Sequence, residues 1–124
     1  MKKIFYWSPH ISNVATIKNV INSAISIKKF SKEQINVSIL DVAGEWEKYK
    51  ENFQENNIDY FKVSKLNLAK FIPISGFFKS RLLYLIIFFL KISHLKKILD
   101  REKPDYLIIH LITIIPLLLL YFFK

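Results

Sequence analysis

Three histidines, His10, His94 and His110, are the side chains of this sequence whose charge changes near neutral pH. His10 follows a short apolar run ending at Trp7, and His110 ends the run that begins at Tyr106. An imidazole at the end of a buried strand can act as a general base when its surroundings tune its pKa. The alternatives are plain ones: a core histidine bonded to backbone for His110, an ordinary turn residue for His10. Other chemistries are excluded more firmly. With no cysteine there is no thiol nucleophile, no disulfide and no cysteine-ligated metal. The histidines do not pair at a metal-ligand spacing, so no metal site is expected. Gly44 and Gly76 are the only glycines, which leaves no G-x-G-x-x-G, no G-x-x-x-x-G-K-[ST] and no G-x-S-x-G. No nucleic-acid motif occurs, and the aromatic residues do not interleave with basic ones as on a base-stacking sheet. A nucleic-acid partner is not expected.

The elements that must position these residues follow from apolar spacing. Lys3–Trp7 favours a strand, closed by Ser8-Pro9. Ser12 or Asn13 can cap a helix in which Ile17, Val20, Ile21, Ala24 and Ile25 form one apolar face. Ile35–Val42 reads as a second strand, stopped near Gly44. The polar stretch Glu45–Asn56 is helix-permissive, with Glu47, Glu51 and Glu55 on a solvated face. Ile58–Val63 reads as a third strand. Pro73 and Gly76 precede a long helix from about Phe77 to Glu102, ended by Lys103-Pro104-Asp105. Its centre, Leu82–Leu90, is apolar all round and must be buried deeply or meet lipid. The expected fold is α/β: a Rossmann-like parallel sheet in three layers, β-α-β-α-β-α-β-α and incomplete.

The end of the chain is ambiguous by hydropathy. Tyr106 to Phe123 is eighteen residues without a formal charge, about the length that crosses a bilayer. Pro104-Asp105 before it, and Thr113 and Pro116 within it, instead suit a strand Tyr106–Leu111, a turn and the start of a helix. The net charge of +9 is concentrated: Tyr60–Lys103 holds ten Lys and Arg against Asp100 and Glu102. That asymmetry points to an anionic partner or, more plainly, to a Lys-rich surface. The apolar run after Met1-Lys2-Lys3 is too short for a secretory signal, so a cytoplasmic chain is expected.

In an open parallel sheet, ligands sit outside the carboxyl ends of the strands where the strand order reverses. If the first and fourth strands are neighbours, Ser8-Pro9-His10-Ile11-Ser12-Asn13 and His110-Leu111-Ile112-Thr113 meet there. The stretches "KIFYWSPHISNVATIKNVINSA", "VSILDVAGEWE" and "KPDYLIIHLITIIPLLLL" together resemble the amino-terminal domain of family-4 glycosyltransferases of the GT-B fold. Lys-Pro-Asp, an apolar run and then His is the most specific element. Ser8-Pro9-His10 stands where that family often has a Gly-Gly pair.

The resemblance implies a sugar transferase that uses a nucleotide sugar, retains anomeric configuration and needs no obligatory metal or resident cofactor. It makes His110 the catalytic or sugar-contacting residue, with Ser8, Pro9, His10, Ser12, Asn13 and Thr113 lining the acceptor cleft. It further implies that residues 1–124 are a truncated acceptor-side domain, inactive alone, without the donor domain. The expected acceptor is a glycan or lipid-linked glycan in surface-polysaccharide or lipopolysaccharide assembly. Phe77, Phe78, Lys79 and Arg81 would then dock the protein peripherally on the anionic inner face of the cell membrane. Two other readings stay open: a two-span membrane protein using Leu82–His94 and Tyr106–Phe123, and a non-catalytic flavodoxin-like binding module.

Overall fold

The computed structural model describes residues 1–10, 15–73 and 76–110. Strand β1 (Lys2–Trp7) leads to helix α1 (Ala15–Phe30) and strand β2 (Ile35–Asp41). A single 3-10 turn, Glu47–Tyr49, runs into the short helix α2 (Lys50–Glu55), followed by β3 (Asp59–Lys62). A second 3-10 turn, Leu68–Phe71, precedes α3 (Phe77–Glu102) and β4 (Tyr106–Ile109). All strand pairs are parallel, in the order β3-β2-β1-β4. The fold is therefore the expected Rossmann-like α/β arrangement. The strand expected over Tyr106–Leu111 ends at Ile109, with His110 just beyond it; Leu111 and the expected turn and final helix lie outside the described residues.

Alternation of side chains along each strand builds two cores, one on each face of the sheet. Ile4, Tyr6, Val37 and Ile39 face α1 and α2, packing with Ile17, Val20, Ala24 and Phe53. Phe5, Trp7, Leu40 and Val42 face α3 and pack with Tyr84, Ile87, Phe88 and Leu95. The Trp7 and Phe88 rings stack at 5.4 Å. α1 buries the arc its spacing marks out, while Lys18, Asn19 and Asn22 face solvent.

α3 divides differently from a helix buried all round. Tyr84, Ile87 and Phe88 are buried, whereas Leu82 and Leu90 are 60% and 68% exposed. A helix laid on a sheet covers one arc only, so among the described residues the outer arc of Leu82, Ile86, Phe89 and Leu90 stays open. No helix among the described residues is long and apolar enough to cross a membrane. Tyr106–Ile109 is a strand with Ile4↔Tyr106 and Trp7↔Ile109 in register, which a membrane rod starting at Tyr106 would not allow. α3 stops where the sequence indicates: Lys103 takes a left-handed conformation at φ 45° and donates its N–H to Leu99 O, with Pro104 following.

Candidate ligand site at the carboxyl edge of the sheet

The chain steps outward from β1 to β2 to β3, then α3 carries it back across the sheet to the other side of β1. The order reverses between β1 and β4, and in open parallel sheets the carboxyl ends of the strands at such a reversal are where ligands bind. β4 is pinned at its start by Asp105, which accepts the Lys3 N–H at 2.8 Å and donates its own N–H to Lys3 O. At its end the His110 N–H donates to Trp7 O at 3.2 Å.

This register brings Ser8 and His110 together. Ser8 Oγ lies 2.6 Å from His110 Nδ1, across 102 positions of sequence, and the imidazole stacks on Tyr6 at 6.2 Å. The contact has two senses. If Ser8 donates, Nε2 carries the ring proton and is a donor; if Nδ1–H donates, Nε2 is an acceptor and a base. Either way the ring is oriented and Nε2 has no hydrogen-bond partner among the described residues. Ser8 is itself fixed, because Trp46 Nε1 donates to its carbonyl at 3.0 Å.

His10 has a buried seat, 6% exposed, rather than a place on an open turn. Its ring meets Trp46 edge-on at 4.4 Å and Tyr49 at 6.4 Å. Burial, with some help from Lys48, lowers its pKa from 6.5 to about 4, so the ring is neutral at physiological pH. Its Nδ1 has no hydrogen-bond partner among the described residues. Pro9 is buried between these two residues. Ser12, Asn13 and Thr113, also expected at the cleft, lie outside the described residues.

A second polar cluster, which the sequence did not single out, sits at the end of β2. Asp41 accepts from Gly44 N–H at 2.6 Å and from the Tyr60 hydroxyl. Glu45 accepts from Ala43 N–H at 2.7 Å and from the Tyr84 hydroxyl at 3.0 Å. Burial pushes the Glu45 carboxyl well above its usual range, and the neighbouring Asp41 adds to that; burial likewise raises Tyr60 and Tyr84. Gly44 makes the turn possible. Its φ is +92°, and a Cβ there would stand 2.7 Å from Asn67 Cα. The available signal was Asp41 followed closely by Gly44 and Glu45; the tyrosines come from β3 and α3, and no local spacing announces them.

At the start of α3, Phe78 is 84% exposed, Lys79 is exposed and Arg81 is half-buried; the Phe77 side chain lies outside the described set. Among the described residues no group of His, Asp and Glu could hold a metal ion. Compared with protein-family models, curated proteins and solved structures, the chain matches none.

Proposed function

We propose that this chain is the acceptor-side domain of a GT-B-type glycosyltransferase. The reaction moves a sugar from a nucleotide-sugar donor to a glycan or lipid-linked acceptor in surface-polysaccharide or lipopolysaccharide assembly. The observation that carries this reading is the Ser8–His110 contact at the reversal point of the sheet. A ring held by Ser8 on one nitrogen keeps the other at a fixed angle for a sugar hydroxyl, which needs a donor or acceptor within about 2.6–3.2 Å. Behind this pair, neutral His10 is packed on buried Trp46 and partly buried Tyr49, so the adjoining surface carries no charge from His10 and suits an uncharged, hydroxyl-rich ligand. The donor would be held by a second Rossmann-like domain. Peripheral docking on an anionic membrane, through Phe77, Phe78, Lys79 and Arg81 with the open arc of α3, would bring a lipid-linked acceptor to the crevice.

Acceptor binding is the direct test. Labelled protein titrated with neutral oligosaccharides and a short-chain lipid-linked glycan is expected to shift the amide of Ser8 and the imidazole of His110, and His110→Ala should abolish saturation. A panel of acceptors that leaves both signals unmoved would end the proposal. Docking is separate: sedimentation with anionic vesicles at low salt should fall when Phe78 and Leu82 become Ser, and no sedimentation at all would remove the membrane from the scheme.

A further inference from the structure

The opposite edge of the sheet holds a feature that sugar transfer does not use. Between the end of β3 and the flank of α3 runs a groove of about 630 Å³. Lys62 and Lys65 line it from the β3 side, and Lys91, His94, Lys97 and Arg101 from the helix. The helical residues recur every three or four positions, which places them along one face of α3. Among the described residues no carboxylate lines the groove, and the two acids of this helix segment, Asp100 and Glu102, are not part of its wall. Lys62 is paired with Glu47 at 2.7 Å and Arg101 with Glu102 at 2.8 Å. Lys65, Lys91 and Lys97 have no ion pair among the described residues.

Several cations converging on a concave, partly apolar surface repel one another, and that cost is relieved when an anion enters. Two lysines elsewhere on the chain pair with acids, Lys2 with Glu33 at 2.7 Å and Lys3 with Glu102 at 3.5 Å. What sets the groove apart is convergence: five Lys and Arg side chains line one concave surface whose described lining holds no acid. Its volume lies within the range of small-molecule sites and far exceeds a single phosphate. Val63, Leu66 and Ile98 supply apolar wall between the cations. A ligand that matches carries at least two negative charges at one end and a less polar body beside them.

We propose that the groove between β3 and α3 binds a phosphate-bearing anion, of diphosphate charge and nucleotide or phospholipid-headgroup size, through Lys65, Lys91 and Lys97. This site is at the far end of the sheet from Ser8 and His110, since β3 and β4 are opposite edges of the described sheet. It does not rest on the sugar-transfer reading and can stand or fall alone.

The test uses the full chain, isotope-labelled, at low ionic strength. Inorganic pyrophosphate should produce saturable shifts at the amides of Lys65, His94 and Lys97. The exposed pair Lys65→Ala/Lys97→Ala should weaken this at least about tenfold, while Lys18→Ala/Lys32→Ala, removing equal charge from elsewhere on the surface, should change it less than about threefold. Lys97→Glu alone serves as a second variant, with an unchanged amide spectrum as evidence of folding. In a parallel arm, phosphatidylcholine vesicles with and without phosphatidic acid identify the source. Groove-dependent binding to pyrophosphate alone assigns a soluble phosphate compound; groove-dependent binding to phosphatidic acid assigns a lipid headgroup. Absence of both, or equal loss in the two variant pairs, overturns the proposal. Tighter binding of a single-stranded oligonucleotide that depends equally on Lys18 and Lys32 would do the same, as diffuse polyelectrolyte attraction.

Discussion

Two polar clusters stand side by side at the carboxyl ends of the strands, and they differ in how completely they are satisfied. At the end of β2, Asp41 and Glu45 receive two backbone N–H groups and two tyrosine hydroxyls, all supplied by the fold. At the ends of β1 and β4, each imidazole keeps a ring nitrogen without a partner among the described residues. Buried polar groups are costly unless hydrogen-bonded, so the first cluster is built to hold the structure. In the second, His10 Nδ1 is buried beyond a ligand's reach, and the half-buried His110 holds the capacity that a ligand can use. Proximity to the strand ends alone does not separate them; satisfaction does.

The comparison breaks most readily at Glu45. Glu45→Ala orphans the Tyr84 hydroxyl and the Ala43 N–H, and should destabilise the protein by about 3 kcal/mol in denaturant unfolding. If it costs no more than a surface substitution, the β2 cluster is not structural.

Acid pH sharpens the contrast. His10 is neutral when folded but ionises near 6.5 when unfolded, so the unfolded chain gains the proton first as pH falls. Stability from this group is full above about 6.5 and is lost as pH drops toward 4, by on the order of 3 kcal/mol at most. Glu45 has the opposite sign. Its raised folded value keeps it protonated when the unfolded chain has already released its proton, so its contribution is present below about 4.5 and lost at higher pH. Thermal melts across pH should show His10→Phe flattening the acid limb and Glu45→Gln flattening the other.

Gly44→Ala probes the turn that aims Glu45 inward. Left-handed backbone costs a non-glycine residue about 1–2 kcal/mol, and the contact with Asn67 adds to it, so unfolding should detect a loss of about 2 kcal/mol. The smallest effect falls on the Ser8–His110 pair. Ser8→Ala should cost under about 1.5 kcal/mol in stability, yet change the tautomer balance of His110 as read by imidazole nitrogen shifts. An unchanged balance would mean that Ser8 does not orient the ring.

Much of this was legible in advance because it is periodic or local. Strand runs such as Ile35–Val42, the apolar arc of α1 and the Lys103-Pro104 stop of α3 each reflect spacing or a single residue's backbone limits. The likeness of the two β1 and β4 ends as a meeting place was conditional on strand order, which periodicity does not contain. The Ser8–His110 contact, the aromatic seat of His10 and the tyrosines around Asp41 and Glu45 join residues far apart in the chain. So does the cationic groove, where β3 meets α3.

By itself, then, the sequence determined the parallel α/β class, the bounds of α3, the absence of thiol chemistry and an excess of positive charge. Those follow from composition and from interactions within a few residues. Only the tertiary structure decided which arc of α3 is covered, which carboxylates are buried, and which lysines converge without acids. The reason is physical: desolvation, hydrogen-bond satisfaction and charge convergence depend on distances in space, and those are set only when β4 takes its place beside β1 and α3 lies down across the sheet.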